Sequence, residues 1–129
     1  MHRKFLISGA VFGLTAVILG AFAAHGLKEV ISAESLKSFE TGVRFQIYHA
    51  FLFLIIGGLK VLSFEKLNTI YYLLFTGVIL FSVSIYLLSA GTILGMNFRA
   101  IAILTPLGGT LLILGWFLLL LKFIKLKTK

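Results

Sequence analysis

Residues 5–27 read FLISGAVFGLTAVILGAFAAHGL, and the twenty residues from Phe5 to Ala24 carry no charge. With the basic residues Arg3 and Lys4 just ahead of it and Ala21-Phe22-Ala23 near its end, the stretch fits either a secretory signal with a small-residue cleavage box or a helix that stays in the membrane. A signal's apolar region runs to about 7–15 residues. This one is longer, and three more apolar spans follow it with no sizeable soluble segment to export. The stretch is therefore read as the first crossing of an all-α membrane protein.

Composition agrees. The 129 residues are 60% hydrophobic and 12% charged, with a mean hydropathy of +1.10, against about a quarter charged in soluble domains. Twelve Lys and Arg against four Glu give a net charge of +8. In such a chain that excess speaks for membrane topology and lipid-surface attraction and against nucleic-acid binding. The absence of cysteine excludes disulfides, thiolate nucleophiles and Cys-ligated metal or iron–sulfur centres.

A spanning helix needs about 20 mostly apolar residues. Four segments qualify, at about 5–24, 44–64, 69–89 and 100–121. Gly91–Asn97, GTILGMN, becomes a short turn. Ser32 is positioned to cap a short amphipathic surface helix carrying Leu36, Phe39 and Val43, which lies between spans one and two, with Glu40 and Arg44 paired at i, i+4. The expected architecture is one integral membrane domain, an antiparallel four-helix bundle with that surface helix added. With the amino terminus in the cytoplasm, Arg3, Lys4, Lys60, Lys66, Lys122, Lys125, Lys127 and Lys129 lie inside, against Lys28, Lys37, Arg44 and Arg99 outside. That bias predicts both termini on the cytoplasmic side of the membrane. Tyr71, Tyr72 and Trp116 fall where an inner aromatic belt would be.

Small residues supply the packing faces, because helices in lipid associate by close approach and polar contacts. Gly9, Gly13, Ala16, Gly20 and Ala24 recur at spacings of 4, 3, 4 and 4 along one face of span one, and Gly108 and Gly109 do the same for span four. The partner of the first stripe is another helix of the chain or of a second copy. Pro106 either kinks span four or sits in the first turn of a helix capped by Thr105.

Polar residues within the spans form two stripes. Gly42, Gln46, His49, Phe53, Gly57 and Lys60 share a face of span two, and Ser82, Tyr86 and Ser89 share one of span three. Both should face protein. The topology carries His25, Arg44, Gln46, His49, Tyr86, Ser89, Thr105 and Pro106 to one end, joined by Asn97 and Arg99, with His49 about 7 Å deeper than Arg44. The other end is expected to offer only lysines, Glu65, Asn68 and the two tyrosines. His25 reads as a helix-end cap. Two histidines without an intramembrane carboxylate make a poor metal site even with Glu40 added. There is no Asp, no GxSxG and no phosphate-binding loop. No cofactor and no catalysis are expected.

Four ordered stretches, GAFAAHGL (20–27), FETGVRFQIYHAF (39–51), SVSIYLLS (82–89) and LTPLGGTLLILGW (104–116), resemble the YgdD/YwdK family of small bacterial membrane proteins, a family of unknown function with eukaryotic transmembrane relatives. The resemblance implies a four-span inner-membrane protein and no activity. Members often carry tyrosine where Phe45 stands and glycine where Ala23 stands. The reading that follows is a non-enzymatic membrane protein whose polar cluster stabilises the helices or docks a lipid, peptide or protein partner. The rivals are a solute or ion pathway along the Gln46/His49 stripe and a cofactor-binding membrane enzyme.

Overall fold

A computed structural model of the chain describes residues 2–62, 66–95 and 99–126. Phe64, Glu65, Asn97, Lys127 and Lys129 lie outside them. The described residues form four helices and no strand: α1 (Arg3–His25), α2 (Ala33–Gly58), α3 (Leu67–Ala90) and α4 (Leu104–Ile124). Three segments, Arg3–Glu29, Leu67–Ala90 and Arg99–Ile124, are long and apolar enough to cross a membrane. Helix α2 is as long, but Arg44, Gln46, Tyr48 and His49 dilute its apolar character.

The expected surface helix is not a separate element. Ser32 does cap, its Oγ accepting from the Ser35 amide at 3.1 Å, but the helix it starts runs unbroken to Gly58. Nothing in residues 33–56 forces a break: there is no proline, and Gly42 alone lacks a side chain. Arg44 is exposed and donates to Thr41 Oγ1 at 3.1 Å rather than pairing with Glu40.

Close contacts between α1 and α2 need small residues. A Cβ on Gly9 would sit 2.8 Å from the Ala50 carbonyl, and one on Gly57 would sit 2.8 Å from the Leu6 side chain. Ala16 is fully buried on the same seam, while Gly13 and Gly20 have room for a methyl group, 3.8 Å from Ala50 and 3.6 Å from Val43. Ala24 departs from the expected stripe. It is exposed, and Ala23 is the buried residue, a one-residue phase shift at the helix end.

Helix α3 contains a widened π turn at Ile79–Val83 between α-helical segments Leu67–Val78 and Ser84–Ala90. Gly108 of α4 enters there: a Cβ on it would meet the Phe81 nitrogen at 2.4 Å and the Gly77 carbonyl at 2.9 Å. Gly109 faces the Phe81 ring at 3.7 Å with space to spare. A 3-10 turn, Arg99–Ile103, leads into α4, which places Pro106 in the first α-helical turn, where its missing amide costs nothing. The residue before that turn is Ile103, not Thr105, and no side chain caps it.

Two apolar clusters hold the interior. Toward the Lys4 end, Phe5, Phe12, Phe53, Ile56, Ile70 and Leu74 pack with Leu112 and Leu119. At the His25 end, Leu27, in the connection after α1, is fully buried with Ala23 and Phe39. The outward faces remain apolar, with Leu14, Val17, Phe51, Ile55, Ile113 and Leu120 all exposed, as a surface meeting lipid requires.

Candidate functional site

Gln46 is the hub of the polar groups. Its buried amide Nε2 donates to the Phe12 carbonyl at 2.9 Å and to Thr15 Oγ1 at 2.6 Å, and its Oε1 accepts from the Tyr86 hydroxyl at 2.7 Å. Three of the four hydrogen bonds a primary amide can make are thus used to join α1, α2 and α3. Gly42 lets this happen: a Cβ there would meet Tyr86 Cε1 at 2.7 Å, so only a bare backbone admits the ring. The Gly42 carbonyl accepts from Ser82 Oγ at 2.9 Å. The stripes expected on α2 and α3 therefore face one another.

His49 sits one turn deeper, buried, with its Nδ1 2.7 Å from the Phe45 carbonyl and its Nε2 accepting from Trp116 Nε1 at 3.0 Å. An indole only donates, so Nε2 must accept and Nδ1 carries the proton toward Phe45. Trp116 is therefore a partner of His49 and not merely a belt residue, although 46% of it remains exposed to the surroundings of the helices. A third link, Ser84 Oγ to Thr105 Oγ1 at 2.5 Å, joins α3 to α4 just past the π turn, and Ser84 also satisfies the Phe81 carbonyl within it. Among the described residues, no side-chain nitrogen or oxygen that is itself sealed from the surroundings lacks a partner.

Other expected members do not join. His25 is exposed at the end of α1, where the Gly26 amide, not the imidazole, reaches the Phe22 carbonyl. Arg44, Arg99 and Pro106 are exposed. Arg44 bonds Thr41 on its own helix, and Pro106 is exposed in the first turn of α4.

Ser89 is 5% exposed and makes no hydrogen bond to another described residue. It lines a pocket of about 400 Å³ with Glu34, Ser35 and Ser38 of α2, Ile85 and Leu88 of α3, Ala102 of the 3-10 turn and Thr105 at the start of α4. Hydroxyls and one carboxylate form part of the wall and aliphatic side chains the rest. The volume lies in the range of small-molecule sites.

The opposite end is better organised than expected. Ser8 and Tyr71 share a buried hydrogen bond of 2.5 Å. The Lys4 ammonium bonds Asn68 and stands 4.6 Å and 4.9 Å from the ring centres of Tyr71 and Tyr72. Between the two ends, Phe12 packs on Phe53 and Phe75 at centroid distances of 5.5 Å and 5.3 Å.

No three His, Cys, Asp or Glu side chains among the described residues lie close enough to hold a metal ion. The groups assembled here can hold helices together and, at the pocket, accept or donate hydrogen bonds to a ligand.

A family model described as a protein of unknown function (DUF423) matches residues 19–109. The chain is 38% identical over 124 residues to UPF0382 membrane protein SSP2132 of Staphylococcus saprophyticus, covering 96% of this chain and 99% of that one. It is 37% identical over 125 residues to UPF0382 membrane protein YwdK of Bacillus subtilis, covering 95% and 98%. A UPF0382 membrane protein of Haemophilus influenzae is 36% identical over 118 residues, covering 90% of each. No solved structure matches the chain. The chain belongs to this DUF423 (UPF0382) family, membrane proteins of unknown function.

Proposed function

We propose that the protein is a non-enzymatic component of the bacterial cytoplasmic membrane that crosses it four times as an antiparallel bundle, termini inside, and docks a membrane amphiphile in the pocket at the His25 end. The crossing pattern is supported by contact order: Leu6, Gly9 and Gly20 of α1 meet Gly57, Ala50 and Val43 of α2, so rising numbers on one helix meet falling numbers on the next. The pairs Gly77–Leu112 and Ser84–Thr105 run the same way between α3 and α4. Orientation rests on the lysine and arginine bias.

Docking rests on Ser89. The other buried polar side chains of the seam satisfy one another, which makes them structural, whereas Ser89, nearly buried as a residue, makes no side-chain hydrogen bond to another described residue and keeps its hydroxyl accessible on a pocket wall that also carries Ile85 and Leu88. An unmade hydrogen bond beside aliphatic surface suits a molecule with a polar head and an apolar tail. The solute-pathway reading draws less support, because the level below Gln46 is filled by Phe12, Phe53 and Phe75.

The test is photolabelling of the full chain in nanodiscs with a diazirine-tailed phospholipid. Label is expected on peptides holding residues 33–38 and 85–89. Ser89→Leu, which removes the hydroxyl and narrows the pocket with an aliphatic side chain, should remove it while helicity and elution volume stay unchanged. Label that ignores that substitution rejects the docking reading.

A further inference from the structure

The chemistry of the pocket lining goes further than a generic amphiphile, and the geometry points to one head group class: a lipid whose polar head carries an ammonium, held against the Glu34 carboxylate. This assignment rests on the docking reading above. The chain has twelve Lys and Arg and four acidic residues, yet the pocket is lined by one carboxylate and by no Lys, Arg or His. An acidic lining within so basic a chain selects against an anionic head alone and for a cation.

Glu34 also lies in the first turn of α2, where the helix dipole favours a negative side chain. The dipole accounts for an acid somewhere in that turn. It does not account for the convergence of Ser35 and Ser38 from the same helix, Ser89 from α3 and Thr105 from α4 on the space beside it. Glu34 pairs with no cation among the described residues. Four hydroxyls and a carboxylate can surround an ammonium whose three N–H groups all need acceptors. Thr105 Oγ1 already shares a hydrogen bond with Ser84, so its remaining capacity is fixed in direction. Ile85 and Leu88 lie on the same wall and give the start of an acyl chain an apolar surface, which a water-soluble amine would not use. The source is therefore a lipid and not a free amine.

The experiment compares two photoactivatable lipids with identical diazirine tails, one with a phosphoethanolamine and one with a phosphoglycerol head, presented to the full chain in nanodiscs of neutral lipid. Labelling of the pocket peptides by the phosphoethanolamine probe should exceed that by the phosphoglycerol probe by about two- to fivefold, the range of a partly exposed ion pair. Glu34→Gln should bring the two to parity, Glu34→Asp should keep most of the preference, and excess free ethanolamine should leave labelling unchanged. Equal labelling by both probes that Ser89→Leu abolishes overturns the ammonium assignment and leaves the docking reading standing. A phosphoglycerol preference, or a phosphoethanolamine preference that survives Glu34→Gln, overturns it equally. Displacement by ethanolamine replaces the lipid by a soluble amine. Labelling indifferent to Ser89→Leu removes the docking reading itself.

Discussion

Gly108 and Gly109 are adjacent, yet adding one methyl group to each should move stability in opposite directions. At Gly108 the new Cβ would meet the Phe81 nitrogen at 2.4 Å, about 1 Å inside the 3.4 Å at which ordinary contact begins, with the Gly77 oxygen and the Leu80 carbonyl carbon both at 2.9 Å. All three neighbours are main-chain atoms and cannot rotate aside, so α3 and α4 must separate. Overpacking costs about 1–3 kcal/mol, and a rigid backbone neighbour places this case at the upper end. The better helix propensity of alanine returns about 1 kcal/mol at most, leaving Gly108→Ala destabilised by roughly 2 kcal/mol. At Gly109 the Cβ would lie 3.7 Å from the Phe81 ring, so only the propensity gain remains and Gly109→Ala should be stabilised by about 0.5–1 kcal/mol. A gap of roughly 3 kcal/mol is about a hundredfold in the unfolding equilibrium. SDS titration in mixed micelles, followed by far-UV circular dichroism, measures it. Should Gly108→Ala prove as stable as Gly109→Ala, the intimate α3–α4 crossing at the π turn is wrong.

Three further outcomes follow from the polar seam. Gln46→Leu removes three interhelical hydrogen bonds at an average of about 0.6 kcal/mol each, so roughly 2 kcal/mol; Tyr86→Phe should cost about a third of that alone and close to nothing once Gln46 is gone, and additive losses in this double-mutant cycle would contradict the shared bond. Trp116 is the single tryptophan, so His49→Leu, which deprives its N–H of an acceptor, should move its emission to shorter wavelength, and an unmoved spectrum would dissolve that pair. Deleting Leu80 should turn the π turn into regular helix, because the widened turn holds one residue more than an α turn, and leave the two halves of α3 in register; helicity and the Ser84–Thr105 and Tyr86–Gln46 links should survive while the widened seat of Gly108 is lost and the SDS midpoint falls, whereas an unchanged midpoint would show the widened turn to be dispensable.

Much of this arrangement is legible in the residues themselves. Twenty uncharged positions after Lys4 leave little choice but a long apolar helix, and the 100° spacing that groups Gly42, Gln46, His49, Phe53 and Gly57 on one face names the buried face of α2, although Lys60, grouped with them, lies exposed beyond the helix end. The Ser82 and Tyr86 stripe is legible for the same reason. The losses occur where the deciding quantity is the register between two helices. Ser8 and Tyr71 are 63 positions apart, and His49 and Trp116 are 67 apart; no periodicity within one helix reports such a meeting. The π turn is equally silent, because ILFSV reads as ordinary helix until a neighbour such as Gly108 requires the extra width. Charges on residues 34–44 suggest an element parallel to the membrane, but a charge marks a level of polarity and does not bend a backbone that has no breaker. His25, Arg44 and Pro106 stay outside the hydrogen-bonded seam for a related reason: topology brings a residue to one end of a helix, and only its azimuth decides whether it looks inward.

That unbroken α2 has a mechanical meaning. Glu34 at the pocket and His49 against Trp116 are fifteen positions apart on a single stiff rod, about 22 Å along its axis, with no hinge between them. Any occupant that pushes on the capped tip must therefore tilt the whole lever, and the load arrives at the α2–α4 junction undiminished by bending.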